Sequence, residues 1–129
     1  MVLKKMAEIL KQSIRSMDVV YRFGGEEFVI LLPATISSRA MDIAEKIRAK
    51  IEATEIEVIN TKGEKVILKK TISIGCMGTD QTKDWDNYDD DIDNKFLGDM
   101  FRSADLAVNS SKKNGRNMVT PFSEELLKQ

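Results

Sequence analysis

The chain alternates between helix-like and strand-like patterns of hydrophobic residues. Apolar residues recur at intervals of three and four in three segments, which predicts three amphipathic helices. These helices cover residues 1–16, a stretch capped by Ser37 or Ser38, and residues 96–112. Short apolar runs predict strands at 19–23, 28–32, 55–60, 64–77 and 117–121. The interleaved order, without a repeat or a linker, predicts one α/β (α+β) domain that ends in a frayed tail.

Two of the predicted strands are joined by paired glycines, Gly24 and Gly25, and then by paired glutamates, Glu26 and Glu27. The glycines predict a tight hairpin, because both can adopt a positive φ. Carboxylates beside a turn without side chains suit Mg²⁺-assisted phosphoryl chemistry, since they hold the metal while bare backbone admits phosphates. Glutamates at a hairpin tip are also commonly just solvated, so the pattern alone leaves both interpretations open.

Composition narrows the function without assigning it. The 129 residues include 20 basic and 21 acidic side chains, which argues against bulk electrostatic binding to a nucleic acid polymer or a membrane. The absence of histidine excludes every histidine-dependent site. The single cysteine, Cys76, cannot form an internal disulfide and fits a reducing compartment. No apolar stretch resembles a membrane span or a signal peptide, so we expect a cytoplasmic protein.

An acidic segment at residues 79–95 contains seven aspartates. Asp89, Asp91 and Asp93 match the first three ligand positions of a calcium loop. The match then fails, because Asn94 and Met100 stand where the loop requires glycine and a bidentate glutamate. A solvated acidic loop is therefore the prediction for this segment.

Three motifs follow one another across nearly the whole chain: RFGGEEF at 22–28, TISIG at 71–75 and KKNGRN at 112–117. Together they resemble the GGDEF family of diguanylate cyclases. The resemblance implies a nucleotidyl-cyclase-like fold, with a central, mostly antiparallel sheet flanked by helices. It further implies a GGDEF domain at 1–122, a tail at 123–129, and the condensation of two GTP into cyclic di-GMP by a homodimer with Mg²⁺ or Mn²⁺.

The same resemblance assigns roles to the hairpin residues. Glu26 corresponds to the metal-binding and catalytic acid of the signature, and Glu27 to a second metal-site carboxylate. Gly24 and Gly25 correspond to positions that leave room for GTP. These roles make the hairpin tip the expected catalytic centre.

Two cations near the end of the third predicted helix correspond to the family's binders of the terminal phosphates. Lys112 and Arg116 are four residues apart, so we expect them to share a helix face. Without the resemblance, favourable charge at a helix C-terminus accounts for them equally well.

A second site is implied by RSMD at residues 15–18, which reproduces the family's RxxD inhibitory motif. Arg15 and Asp18 would bind cyclic di-GMP, because guanidinium suits phosphate and base edges while carboxylate accepts guanine N–H groups. Lys46 falls where some members carry a further arginine. The alternative is an ordinary surface ion pair.

The family normally begins with a strand, a helix and a loop that carry a metal-binding aspartate and the guanine readers. None of these precedes Met1, so we expect an N-terminally truncated domain that turns over little or no GTP alone. Two other hypotheses remain open: a non-catalytic cyclic di-GMP-binding module acting through Arg15 and Asp18, and a structural remnant that dimerises through exposed strand edges. The domain would serve as the cytosolic output unit of a larger sensor protein.

Overall fold

A computed structural model describes residues 2–81 and 93–128. For residues 93–97 it describes the backbone but not the side chains. Three α-helices, six strands and two 3-10 helices occur in these ranges. In chain order they are α1 (Val2–Gln12), β1 (Val19–Arg22), β2 (Phe28–Leu31), α2 (Ser37–Ala53), β3 (Glu55–Ile59), β4 (Lys65–Lys69), β5 (Ile74–Cys76), a 3-10 helix (Thr79–Gln81), α3 (Asp93–Lys113), β6 (Val119–Pro121) and a 3-10 helix (Glu124–Lys128).

The described strands form three two-stranded sheets. β1 pairs with β2 and β3 with β4, both antiparallel, whereas β5 and β6 are parallel. Strands joined by short loops pair antiparallel, and the parallel pair is connected through the long helix α3. The predicted α/β (α+β) class and the mostly antiparallel pairing are confirmed.

One hydrophobic core joins both N-terminal helices to the first hairpin and to β5. Ile9 of α1 and Ile47 and Ile51 of α2 are almost completely buried. Val20 and Ile30 lie opposite each other in the β1–β2 ladder and pack against this core. Their helical and alternating spacings therefore bury one face of each element, as the hydrophobic pattern predicts.

The residues that face away from this core on the same hairpin are also apolar. Val19, Tyr21 and Leu31 are between 43% and 49% exposed, and Phe23 is 50% exposed. No helix in the described ranges is long and apolar enough to cross a membrane.

The C-terminal residues pack rather than fray. Leu126 of the last 3-10 helix is 8% exposed and belongs to a cluster with Phe122 and the fully buried Ala107 of α3. The prediction of a frayed tail is therefore wrong for the described residues. Burial of these apolar groups against α3 offsets the cost of ordering the segment.

Four predicted boundaries also differ from the structure. The first helix ends at Gln12 rather than at residue 16. Just after Gln12, the Ser13 hydroxyl donates to the carbonyl of Ile9 at 2.7 Å. The strand predicted at 64–77 is two strands, because β4 pairs with β3 while β5 pairs with β6. The third helix begins at Asp93, and β6 begins at Val119. Most of the acidic segment, including Asp89 and Asp91, lies outside the described residues.

The N-terminus of α2 is capped from a distance, not by its own serines. The Asp80 carboxylate accepts hydrogen bonds from the backbone N–H of Ser37 at 2.9 Å and from its hydroxyl at 2.7 Å. A carboxylate at this end of a helix satisfies a free N–H group and interacts favourably with the helix dipole. The prediction of a serine side-chain cap is therefore wrong.

We expect Gly75→Ala to lower the free energy of unfolding by about 3 kcal/mol or more, because overpacking forces backbone apart. A Cβ at Gly75 would lie 2.3 Å from the Ala104 carbonyl oxygen and 2.4 Å from the Val108 nitrogen. Urea denaturation measures the loss. Gly98→Ala is the matched control, since a Cβ there meets no described atom within 4 Å and alanine favours helix. Equal stability of the two variants would contradict this account of the β5–α3 contact.

Candidate functional site

The first hairpin ends in an open turn over residues 23–27. The Glu27 N–H donates to the carbonyl of Gly24 at 3.0 Å, and the Phe23 N–H donates to the carbonyl of Glu27 at 2.8 Å. Gly24 and Gly25 have φ values of +82° and +50°, as their sequence predicts. A Cβ on either glycine would meet no atom of the described residues within 4 Å, so these residues leave space beside the turn.

The two glutamates of this turn are exposed, and their side chains make no hydrogen bond or ion pair with the described part of the chain. Glu26 and Glu27 therefore present their carboxylates to solvent beside the bare glycine backbone. The described ranges contain no group of three acidic or cysteine side chains close enough to hold a metal ion. Two adjacent carboxylates are a donor set that suits Mg²⁺ or Mn²⁺, which fill their remaining positions with water and phosphate oxygens.

Lys112 and Arg116 line one recess, but they do not share a helix. Helix α3 ends at Lys113, and Arg116 lies beyond it with a left-handed φ of +63°. Its N–H donates to the carbonyl of Ser111 at 2.9 Å, which closes the helix in a Schellman-type turn through Gly115. The prediction of one helix face is wrong, because this turn redirects the chain. The recess measures about 390 Å³ and is lined by Leu106, Asn109, Ser110, Lys112, Lys113, Arg116 and Leu126.

The hairpin tip and this recess meet α3 at different points. The ring of Phe23, next to the tip, packs on Phe101 with 4.6 Å between the ring centroids. Lys112 follows eleven residues later, about 16 Å of helix rise. No hydrogen bond or ion pair in the described ranges links the glutamates to Lys112 or Arg116. Helix α3 is thus the common support of two separate groups of predicted site residues.

Arg15 and Asp18 form a tightly bonded pair. The guanidinium donates from Nε to Oδ2 of Asp18 at 3.1 Å and from Nη2 to Oδ1 at 2.9 Å, and the Arg15 backbone N–H adds a bond of 2.8 Å. The Asp18 side chain is 1% exposed, whereas that of Arg15 is 46% exposed. The hydrogen bond from Arg15 lowers the pKa of Asp18, against the raising effect of burial. The interpretation as an ordinary surface pair fails, because one partner is buried.

Two residues beyond β2 complete the surroundings of Arg15. Nη2 also donates to the Pro33 carbonyl at 3.1 Å and to the Thr35 hydroxyl at 2.8 Å. Nη1 has no protein partner among the described residues, and the Arg15 side chain is partly exposed, so its two N–H groups remain available to a ligand. Lys46 is exposed on α2 and makes no described contact with Arg15 or Asp18. Sequence reasoning missed Pro33 and Thr35, since no local pattern signals a contact across 18 and 20 residues.

Comparison with known proteins identifies the family to which these features belong. Residues 1–118 match the family described as "Diguanylate cyclase, GGDEF domain". The chain belongs to the GGDEF domain family. Diguanylate cyclase A of Treponema denticola is 36% identical over 119 residues, which cover 92% of this chain and 28% of that protein.

Two further similarities support the assignment of this GGDEF domain. Diguanylate cyclase DosC of Escherichia coli K12 is 30% identical over 118 residues, covering 92% of this chain and 22% of that protein. The chain thus spans about a quarter of the length of these curated relatives. The active GGEEF domain of a diguanylate cyclase from Vibrio cholerae matches with a TM-score of 0.68 at 25% identity, over 95% of this chain and 67% of that chain.

The hairpin signature of this GGDEF domain has an internal support that sequence reasoning missed. Arg22, at the end of β1, donates from Nε to the carbonyl of Gly25 at 2.8 Å. The bond ties the flexible glycine pair to the strand and limits the positions that the turn can adopt. The only sequence signal was the place of Arg22 beside the glycines.

The Arg15–Asp18 pair of the GGDEF domain predicts a pH dependence of stability. Asp18 has a lowered pKa in the folded protein, and an unfolded Asp titrates near pH 4. The stabilising contribution is therefore fully present above about pH 4 and is lost as the pH falls through the lower folded pKa. We expect Arg15→Ala to unfold at lower urea concentration than the parent chain at pH 7, with a difference that shrinks below about pH 4.

Arg102→Ala is the matched control for this measurement, because Arg102 also pairs with an aspartate three residues away, but at 72% exposure. Its effect on the urea midpoint should be small at every pH. A difference between the parent and Arg15→Ala that stays constant down to about pH 2.5 would contradict the role of Asp18 ionisation.

Proposed function

We propose that this chain is part of a diguanylate cyclase that condenses two GTP into cyclic di-GMP and binds the product at Arg15 and Asp18. The observation that carries the catalytic proposal is the hairpin tip, where two open glycines precede two exposed carboxylates that have no partner in the described part of the chain. Bare backbone and hard oxygen donors together suit a nucleotide triphosphate with a divalent cation.

Glu26 and Glu27 would hold Mg²⁺ or Mn²⁺ at this tip. A bound divalent cation neutralises phosphate charge in phosphoryl transfer. Gly24 and Gly25 leave space for the nucleotide to approach the backbone, and Lys112 and Arg116 offer positive charge to its terminal phosphates. Together these residues bind and orient one GTP in each domain.

The reaction itself requires two such domains. Each 3′-hydroxyl attacks the α-phosphate of the opposing GTP, and the P–O bond to the departing pyrophosphate breaks. A homodimer that brings two hairpin tips together meets this requirement. Since the described residues bring no third carboxylate to Glu26 and Glu27, we expect the isolated chain to turn over GTP slowly or not at all.

The second candidate function, a non-catalytic cyclic di-GMP-binding module, is favoured by the Arg15–Asp18 geometry. The buried carboxylate fixes one edge of the guanidinium, and the two N–H groups of Nη1 have no partner among the described residues. A fixed, exposed guanidinium is well suited to a phosphate oxygen. Lys46 would then add an exposed point charge from α2.

Calorimetric titration of the chain with cyclic di-GMP tests the product site. We expect saturable binding, and a loss of about 10- to 100-fold in affinity for Arg15→Ala, because a hydrogen bond to a charged group is removed. Arg102→Ala is the control for loss of an arginine and should keep the parent affinity. No binding by the parent chain, or equal binding by Arg15→Ala, would contradict the product site.

Incubation of the same protein with GTP and Mg²⁺, followed by chromatographic detection of cyclic di-GMP, separates the two functions. We expect at most trace synthesis by the isolated chain and product binding without it. Robust synthesis that Glu26→Gln abolishes would support the cyclase and overturn the expected inactivity. Synthesis unaffected by Glu26→Gln would contradict the proposed catalytic centre.

A further inference from the structure

Three consecutive residues after α3 have a positive φ. The values are +117° for Gly115, +63° for Arg116 and +48° for Asn117. Glycine adopts such angles freely, but for an arginine the left-handed region is unfavourable and persists only where the surroundings enforce it. Something in the fold therefore holds Arg116 in this conformation.

One restraint comes from helix α2, through the side chain of Asn117. Arg48 Nη1 donates to Oδ1 of Asn117 at 2.9 Å, and Nδ2 of Asn117 donates to a carboxylate oxygen of Glu52. The Asn117 amide thus accepts a hydrogen bond from the Arg48 cation and donates one to the Glu52 anion. Both partners are on one face of α2, four residues apart and paired with each other at 3.4 Å, so the amide is bonded to both members of one ion pair.

Arg48 is itself held in place. Its side chain is only 17% exposed, and Nε donates to both carboxylate oxygens of Glu45 at 3.0 Å. The hydrogen bond from Arg48 to Glu45 is the main cause of a raised Arg48 pKa. A fixed guanidinium on a core helix is a rigid anchor for a loop that lies 69 residues away in sequence.

A second restraint acts on Arg116 from the end of helix α3, which precedes it in the chain. Its N–H donates to the carbonyl of Ser111, which is fully buried. The Ser111 hydroxyl donates to the Ile74 carbonyl at 3.0 Å and lies 2.6 Å from the hydroxyl of Thr120. The start and the end of the turn are therefore fixed to β5, β6 and α2, and Arg116 lies in the exposed stretch 112–116 between them.

We propose that Arg48, acting through Asn117, is a positioning residue that directs Arg116 into the recess where the phosphates of the nucleotide bind. The inference rests on the proposed nucleotide-binding function and deepens it. The Arg48–Asn117–Glu52 contact offsets the cost of the left-handed arginine, so that the guanidinium is already oriented before a ligand arrives. Loss of the contact lets the turn relax and lowers the affinity for a polyphosphate without removing any charge from the recess.

The test is the binding of inorganic tripolyphosphate to the full chain, measured by calorimetry. We expect Arg116→Ala to weaken binding about 10-fold or more and Arg48→Met to weaken it about 5-fold. Asn117→Gly should weaken binding to the same extent as Arg48→Met, because glycine keeps the backbone freedom but lacks the amide. If Arg48→Met does not fold, Asn117→Gly still tests the Arg48–Asn117 contact. Arg39→Met, on the same helix, is the matched control and should bind as the parent does.

A double-mutant cycle distinguishes positioning from general damage. In the Arg116→Ala background, Arg48→Met should weaken tripolyphosphate binding no further. The same loss in both backgrounds, or parent affinity in folded Arg48→Met and Asn117→Gly, would overturn the positioning role while leaving the proposed function intact. If the parent chain does not bind tripolyphosphate, or if Arg116→Ala binds it with the parent affinity, the phosphate site itself is contradicted, and the inference with it.

Discussion

The backbone contact between β5 and α3 is the constraint on which the rest of the site depends. Gly75 has no side chain, so the helix backbone at Ala104 and Val108 lies directly against the strand. This close approach buries Ala107 completely and places Ser111 where its hydroxyl reaches both parallel strands. The end of α3, with Lys112 and the turn to Arg116, is thereby fixed relative to the sheet. A larger residue at position 75 would separate the helix from the strand and move these cations.

Helix α2 connects the parts of the fold that carry the predicted sites. Ile47 and Ile51 anchor it in the core beneath the first hairpin, and Asp80 holds its N-terminus. From the same helix Arg48 reaches the turn after α3, while Lys46 is exposed. A rigid core helix therefore supports both the turn beside the Lys112–Arg116 recess and the exposed charge that we propose for product binding. Helix α2 thereby links two predicted sites whose residues are far apart in sequence.

Local patterns were sufficient to predict most elements of the fold. Helical spacing located α1, α2 and α3, and the glycine pair located the first hairpin with its positive φ angles, because periodicity and turn chemistry are local properties. The resemblance added the roles of the hairpin glutamates and of Arg15 and Asp18. The family assignment is confirmed, and those roles remain predictions.

Long-range contacts account for what the sequence did not reveal. The Asp80 cap joins residues 43 apart, and the Arg48–Asn117 bond joins residues 69 apart. The burial of Asp18 and the left-handed Arg116 likewise depend on tertiary packing. The misplaced helix face of Lys112 and Arg116 has a local cause instead, because the Schellman-type turn at Gly115 ends the helix between the two residues.

The central claim is that the chain has two separate ligand sites, and NMR of the ¹⁵N-labelled protein tests it most directly. Amide shifts would be followed during separate titrations with cyclic di-GMP and with Mg²⁺-tripolyphosphate. The account predicts that cyclic di-GMP shifts the amides around Arg15, Asp18 and Thr35, and that tripolyphosphate shifts those of residues 24–27, Lys112 and Arg116. Shifts by both ligands at one common set of residues, or none at either predicted site, would contradict it.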